Sequence, residues 1–138
     1  MMLLRDVTLL LVALAMFVIL DGVWLGVLMR RFYRQQLAPI ARMSSGRLAP
    51  LWPIAALVYL SLALGVLALV VPRAAGVAAA GARWGALLGL VVYGFYNFTN
   101  YATLAAWTGA MTLVDIAWGI VACGAVASAV TAVDGWIR

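Results

Sequence analysis

Apolar positions in this chain come in runs much longer than the period of one amphipathic helix or strand, and polar positions mark where each run stops. A helix crossing about 30 Å of hydrocarbon at about 1.5 Å per residue needs about 20 mostly apolar residues. Four stretches satisfy this, at about 7–29, 51–71, 77–103 and 110–133. The first is interrupted only by Asp21. The second is bracketed by Pro50, Pro53 and Pro72, and Pro53 falls in a first turn where its missing N–H does no harm. Between 77 and 133 only Arg83 and Asp115 are charged, so this stretch is too long for one span and must fold back. The best break is Ala105-Ala106-Trp107-Thr108-Gly109. The expected architecture is an all-α, integral membrane four-helix bundle forming one domain over 1–138, with its longest connection at 30–50. Ala13-x-Ala15 imitates a signal-peptide cleavage site, but the apolar run continues to Met29, so a retained span is expected.

Composition narrows the chemistry. Of 138 residues, 68% are hydrophobic and 9% charged, whereas soluble domains hold about 25% charged residues. All 9 basic residues are Arg, all 4 acids are Asp, and there is no His. Imidazole triads, His-ligated haem or zinc, and lysine Schiff bases are therefore excluded, and no cofactor is expected. Cys123 stands alone and cannot form an internal disulfide.

The arginines also set an expected orientation. Arg30, Arg31, Arg34, Arg42 and Arg47 sit in the first connection with no acid among them. Counted by the positive-inside rule they make that loop cytoplasmic, and an even number of spans turns both termini outward in a bacterial inner membrane. Beside a bilayer they serve as topology anchors against anionic lipid. Pressed against a membrane, they do not form the solvated basic surface that nucleic acid requires.

Inside the spans, each polar side chain needs a reason, because a charge at mid-membrane costs about 2.5–3.5 kcal/mol even on a lenient scale. Asp21 lies close to mid-depth. In the third span Tyr93, Tyr96, Asn97 and Asn100 are three or four residues apart and share a face. Asp115 admits two readings. Thr112-x-x-Asp115 has the form of a capping box, which would place it at the start of the fourth helix. A helix starting near Thr108 or Ala110 would instead sink it a turn or two into the membrane. Given the alternating direction of the spans, all these groups fall in the membrane half beside the arginine-rich loop. They define a candidate polar pocket of Asp21, Trp24, Tyr93, Tyr96, Asn97, Asn100, Asp115 and Trp118.

The other half reads as packing. Gly81, Gly85 and Gly89 repeat every four residues, and Asp115, Gly119, Cys123, Ala127 and Thr131 form a similar ridge, while Gly22 and Gly26 flank Trp24. Small residues at this spacing let helix backbones approach closely. Asp21-x-x-Trp24 and Asp115-x-x-Trp118 echo each other, each placing a carboxylate and an indole on one helix face. Their spans run in opposite directions, so the echo does not mark a simple inverted repeat.

Three segments carry a resemblance: Asp21-Gly-Val-Trp24-Leu with Phe32-Tyr33, then Tyr96-Asn97-Phe-Thr99-Asn100-Tyr-Ala102-Thr103-Leu, then Thr112-Leu-Val-Asp115-Ile-Ala-Trp118-Gly119. Across nearly its whole length the chain resembles a family of small bacterial membrane proteins known only as a domain of unknown function. The resemblance implies a four-helix inner-membrane protein and brings no activity, substrate or cofactor. Many members of that family carry Asp at the position of Asn97.

The leading expectation is a non-enzymatic membrane protein whose pocket binds or passes a small solute, a proton or a lipid headgroup. A transport path would need more interior than four helices enclose, so a homodimer built on the glycine ridge of the third span is expected for that role. The alternative is a structural or accessory subunit whose polar residues fix helix packing or a partner interface. An intramembrane enzyme acting on lipid ranks last, with Asp21 and Asp115 as its only acid–base pair.

Overall fold

A computed structural model describes residues 2–138. Four long apolar helical spans, Leu3–Leu28, Trp52–Ala74, Ala78–Thr103 and Gly109–Ile137, run up and down. The first is helix α1 (Met2–Val23) continued by a π-helical turn, Trp24–Leu28. Helix α2 (Arg30–Leu37) follows, then a two-stranded hairpin of β1 (Met43–Ser44) and β2 (Arg47–Leu48). Met43 pairs with Leu48 and Ser44 with Arg47. The reversal is made by Ser45 and Gly46, both at positive φ, the geometry that matches the twist of a tight hairpin. The second span is α3 (Trp52–Gly65), a second π turn (Val66–Val70) and α4 (Val71–Ala74). Helices α5 (Ala78–Thr103) and α6 (Gly109–Ile137) complete the bundle.

Helix boundaries follow local chemistry. Pro53 and Pro72 each sit in a first turn. The α4–α5 reversal uses left-handed Ala75 and Gly76. Thr108 caps α6, its hydroxyl accepting the Met111 N–H at 3.1 Å. Of the two readings of Asp115, the earlier start is the one found: the helix begins a turn before Thr112, Thr112 Oγ1 donates back to the Thr108 carbonyl at 3.0 Å, and Asp115 is free to point into the bundle. The fourth span also runs beyond 133, to Ile137.

Helix α6 is the axis of the bundle. Half of its most apolar window is buried, against 17%, 28% and 22% for the other spans in chain order. The main core lies where α1, the second span and α6 meet, through Leu9, Ala13, Phe17, Ala63, Val66, Val126 and Val130. On the other flank, α5 and α6 are locked by small residues. A Cβ on Gly81 would strike Thr131 Oγ1 at 2.5 Å, and one on Gly85 would strike the Cys123 carbonyl at 2.5 Å. A Cβ on Gly89 would lie within 2.7 Å of the Gly119 carbonyl carbon, and one on Gly119 within 2.7 Å of Tyr93 Cβ. The two ridges therefore close on each other within one chain.

Two expectations are corrected here. The glycine ridge of α5 is consumed by α6 and is no free surface for a second copy. Gly22 and Gly26 have nothing within 4 Å of an added Cβ, so they do not mediate close helix approach within the chain.

The ends of the bundle confirm which termini lie together. Arg5 Nε, in the first turns of α1, donates to Asp134 Oδ1 at 2.6 Å, and Arg138 Nε donates to Asp134 Oδ2 at 2.8 Å. Gly76 packs its backbone on Gly135 at this same end. At the opposite end the 30–50 connection meets the α5–α6 turn, where Thr108 Oγ1 and Gln36 Oε1 are in contact.

Candidate functional site

The polar layer forms near that second end, on α1, its π turn, α2, α5 and α6. Asp21 stands one turn before the π segment, which carries Trp24. A π turn holds one residue more than the α-helix allows, with Met29 N–H reaching back to the Trp24 carbonyl at 2.7 Å. The chain then re-enters α2, which places Tyr33 in the bundle while Arg30, Arg31 and Arg34 stay exposed.

Each Asp-x-x-Trp segment meets the other. Trp118 Nε1 donates to Asp21 Oδ1 at 2.8 Å. Trp24 Nε1 donates to Tyr33 Oη at 3.1 Å, and Tyr33 Oη donates to Asp115 Oδ1 at 2.9 Å. The two indoles stack face to face, with centroids 4.4 Å apart and planes 1° from parallel. The indole of α6 therefore serves the acid of α1 directly, and the indole of α1 serves the acid of α6 through one phenol. The shared helix face inferred for each pair holds, but each indole turns to the other helix's carboxylate.

Asp115 has a second support. Asn97 Nδ2 donates to its Oδ2 at 2.6 Å and also to the Tyr93 carbonyl at 3.0 Å. Asn97 is completely buried, and its Oδ1 has no hydrogen-bond partner. A buried amide oxygen left unpaired costs about 1–3 kcal/mol, so this acceptor stands out in an otherwise paired network. Below Asp115, Trp107 Nε1 donates to Thr112 Oγ1 at 3.2 Å, and the Trp107 ring meets Tyr96 edge to face with centroids 5.7 Å apart.

These groups surround a cavity of about 220 Å³ lined by Asp21, Tyr33, Tyr93, Tyr96, Trp107, Asp115 and Trp118, with Leu25, Leu37, Leu48 and Met111 between them. Trp24 stands behind Trp118, and Asn97 lies beneath Asp115. Asn100 is half-buried and is not part of the lining. A larger groove of about 670 Å³ runs between the second span and α5, along Val58, Leu62, Gly65, Leu69, Leu88 and Val92. It shares Tyr93, Tyr96 and Asp115 with the smaller cavity. Arg42 and Arg47, in the hairpin region, are exposed and line neither space.

Tyr33 and Trp107 were not legible as site residues. Tyr33 is enclosed by Arg30, Arg31 and Arg34, a setting that reads as an interfacial anchor, and Trp107 reads as part of an aromatic belt. The one available signal was helical phase, since Phe32-Tyr33 follows Asp21 and Trp24 closely enough for one of the two rings to face inward.

Four apolar spans with a polar layer held between them define a polytopic α-helical membrane protein. The chain belongs to the family described as "Predicted membrane protein (DUF2177)", whose family model matches residues 7–132. No curated protein and no solved structure matches it.

Proposed function

We propose that this protein is a non-enzymatic membrane protein that holds the polar head of an amphiphile at the Asp21–Asp115 level while the apolar tail lies along the α3–α5 groove. The observation that carries this reading is the adjacency of the two spaces: a small cavity with polar walls and a long apolar groove share Tyr93, Tyr96 and Asp115 as lining. A water-soluble solute would have no use for the groove, and an entirely apolar ligand none for the carboxylates. The five arginines of the 30–50 connection fit a cytoplasmic loop on anionic lipid, in a bacterial inner membrane with both termini outside.

A second reading, a structural or accessory subunit, draws support from the pairing of Asp21 and Asp115 within the chain itself, since acids bonded to Trp118, Tyr33 and Asn97 also fix helix register. Native mass spectrometry of protein extracted in mild detergent separates the two. An amphiphile carried by the wild-type protein and depleted in Asp21→Asn is the expected result. Identical lipid profiles for both, with the variant only less stable, would leave the structural reading standing and remove the first.

A further inference from the structure

We propose that the headgroup taken by this cavity is a cation, a protonated amine on a single-chain amphiphile that enters sideways from the lipid between the second span and α5. The inference rests on the binding reading above and adds the charge and shape of the ligand. The cavity presents two carboxylates, Asp21 and Asp115, together with the ring faces of Trp118, Tyr93 and Tyr96, and no basic residue is among those that line it. Carboxylates and aromatic faces are the two groups that attract an ammonium, and both gain strength away from water.

The hydrogen-bond inventory points the same way. Tyr33, Trp118 and the Asn97 amide nitrogen already spend their donors on the two acids. Among the acids that line the cavity, Asp21 Oδ1 accepts from Trp118 and each Asp115 oxygen accepts one donor. A carboxylate oxygen takes two donors, so the two acids keep acceptor capacity, beside the Tyr93 and Tyr96 hydroxyls, which donate or accept. A ligand that donates several N–H bonds completes it. A phosphate would bring more acceptors and a charge of the same sign as the acids, with no guanidinium to offset it.

Size limits the ligand further. A water occupies about 30 Å³ of liquid, so about 220 Å³ holds a headgroup of only a few heavy atoms, and beyond Tyr93, Tyr96 and Asp115 the adjoining groove is lined, except for Ser61 and Gly65, by aliphatic side chains suited to a methylene chain. Tyr96, 53% exposed, stands where the two spaces meet.

The test compares dodecylamine, dodecanol and dodecyl phosphate on the full chain in uncharged maltoside micelles. Affinity is read by native mass spectrometry and by the shift of the melting temperature. The amine should bind the wild-type protein about thirty-fold or more tightly than it binds Asp21→Asn or Asp115→Asn, the usual loss when one partner of a buried charge pair is removed. Neither of the other two probes should bind the wild-type protein more tightly than the variants. If dodecanol or dodecyl phosphate gains as much from the carboxylates as the amine does, the cationic assignment is wrong and the amphiphile site stands. If none of the three separates wild type from variants, both are wrong. Should Asp115→Asn fail to fold, Asp21→Asn alone decides, because Asp115 ties together Tyr33 and Asn97 whereas Asp21 accepts the Trp118 indole N–H.

Discussion

The α5–α6 seam and the α1–α6 polar layer share one helix but hold it by opposite means. Along the seam, Gly81, Gly85 and Gly89 bring backbone against backbone, and each would place a new Cβ within 3 Å of α6 atoms. In the polar layer the helices stand apart, and the gap is filled by stacked indoles, a phenol and two carboxylates joined by hydrogen bonds. Water drives neither, since lipid is as apolar as a buried leucine. Dispersion at close range holds the first, and the cost of leaving polar groups unpaired in hydrocarbon holds the second. The first leaves no room for a ligand. The second leaves both room and unsatisfied acceptors, which is why the candidate site lies there.

The comparison can be broken most directly at the seam. Gly89→Leu must move the α6 backbone at Gly119, and overpacking of this kind should cost about 3 kcal/mol or more. Loss of the folded species in size-exclusion chromatography is the expected outcome. A normal melting temperature would show that the seam is looser than its geometry. Next in size comes Asp115→Leu, which strips partners from the Tyr33 hydroxyl and the Asn97 amide. Leaving these unpaired should cost about 2–3 kcal/mol, measured by denaturant titration in mixed micelles, with Asp115→Asn recovering part of the loss.

Smaller effects sharpen the contrast. Trp118→Phe keeps an aromatic ring against Trp24 but removes the donor to Asp21, and interhelical hydrogen bonds in membranes contribute about 0.6–1.7 kcal/mol. Trp24→Phe should cost a similar amount, and the double variant less than the sum, because the two rings touch. A double-mutant cycle on melting temperature reads this directly. Smallest of all, Gly22→Ala and Gly26→Ala should change stability by no more than about 0.5 kcal/mol, with any change favourable, since an added Cβ there meets nothing. A large loss at either position would reveal a contact with another molecule.

The four spans were legible because bilayer thickness imposes a length that apolar runs must match, and the break at 104–108 falls where a small cluster of Ala, Trp, Thr and Gly interrupts the longest run. The common depth of Asp21, Asn97 and Asp115 followed from span direction alone. Asn100 shared their face by spacing but lies half-buried outside the lining, because a helical face spans a wide arc and only part of it turns inward. The glycine ridge was readable as close packing, though not its partner: spacing shows that a surface is thin without showing what approaches it. Neither π turn left a recognisable mark in Trp24–Leu28 or Val66–Val70. Without the first, the inward position of Tyr33 could not be derived.

The crosswise pairing of α1 with α6 has a consequence for biosynthesis. Asp21, on the first span of the bundle, takes its indole donor from Trp118 on the fourth, which leaves the ribosome later. Until that fourth span emerges, the nascent protein carries a carboxylate in the membrane without its mate, and Tyr33 waits for Asp115. A chain halted before Gly109 should therefore be a substrate for membrane quality control, and insertion of the fourth segment should be the step that commits the polypeptide to its mature form.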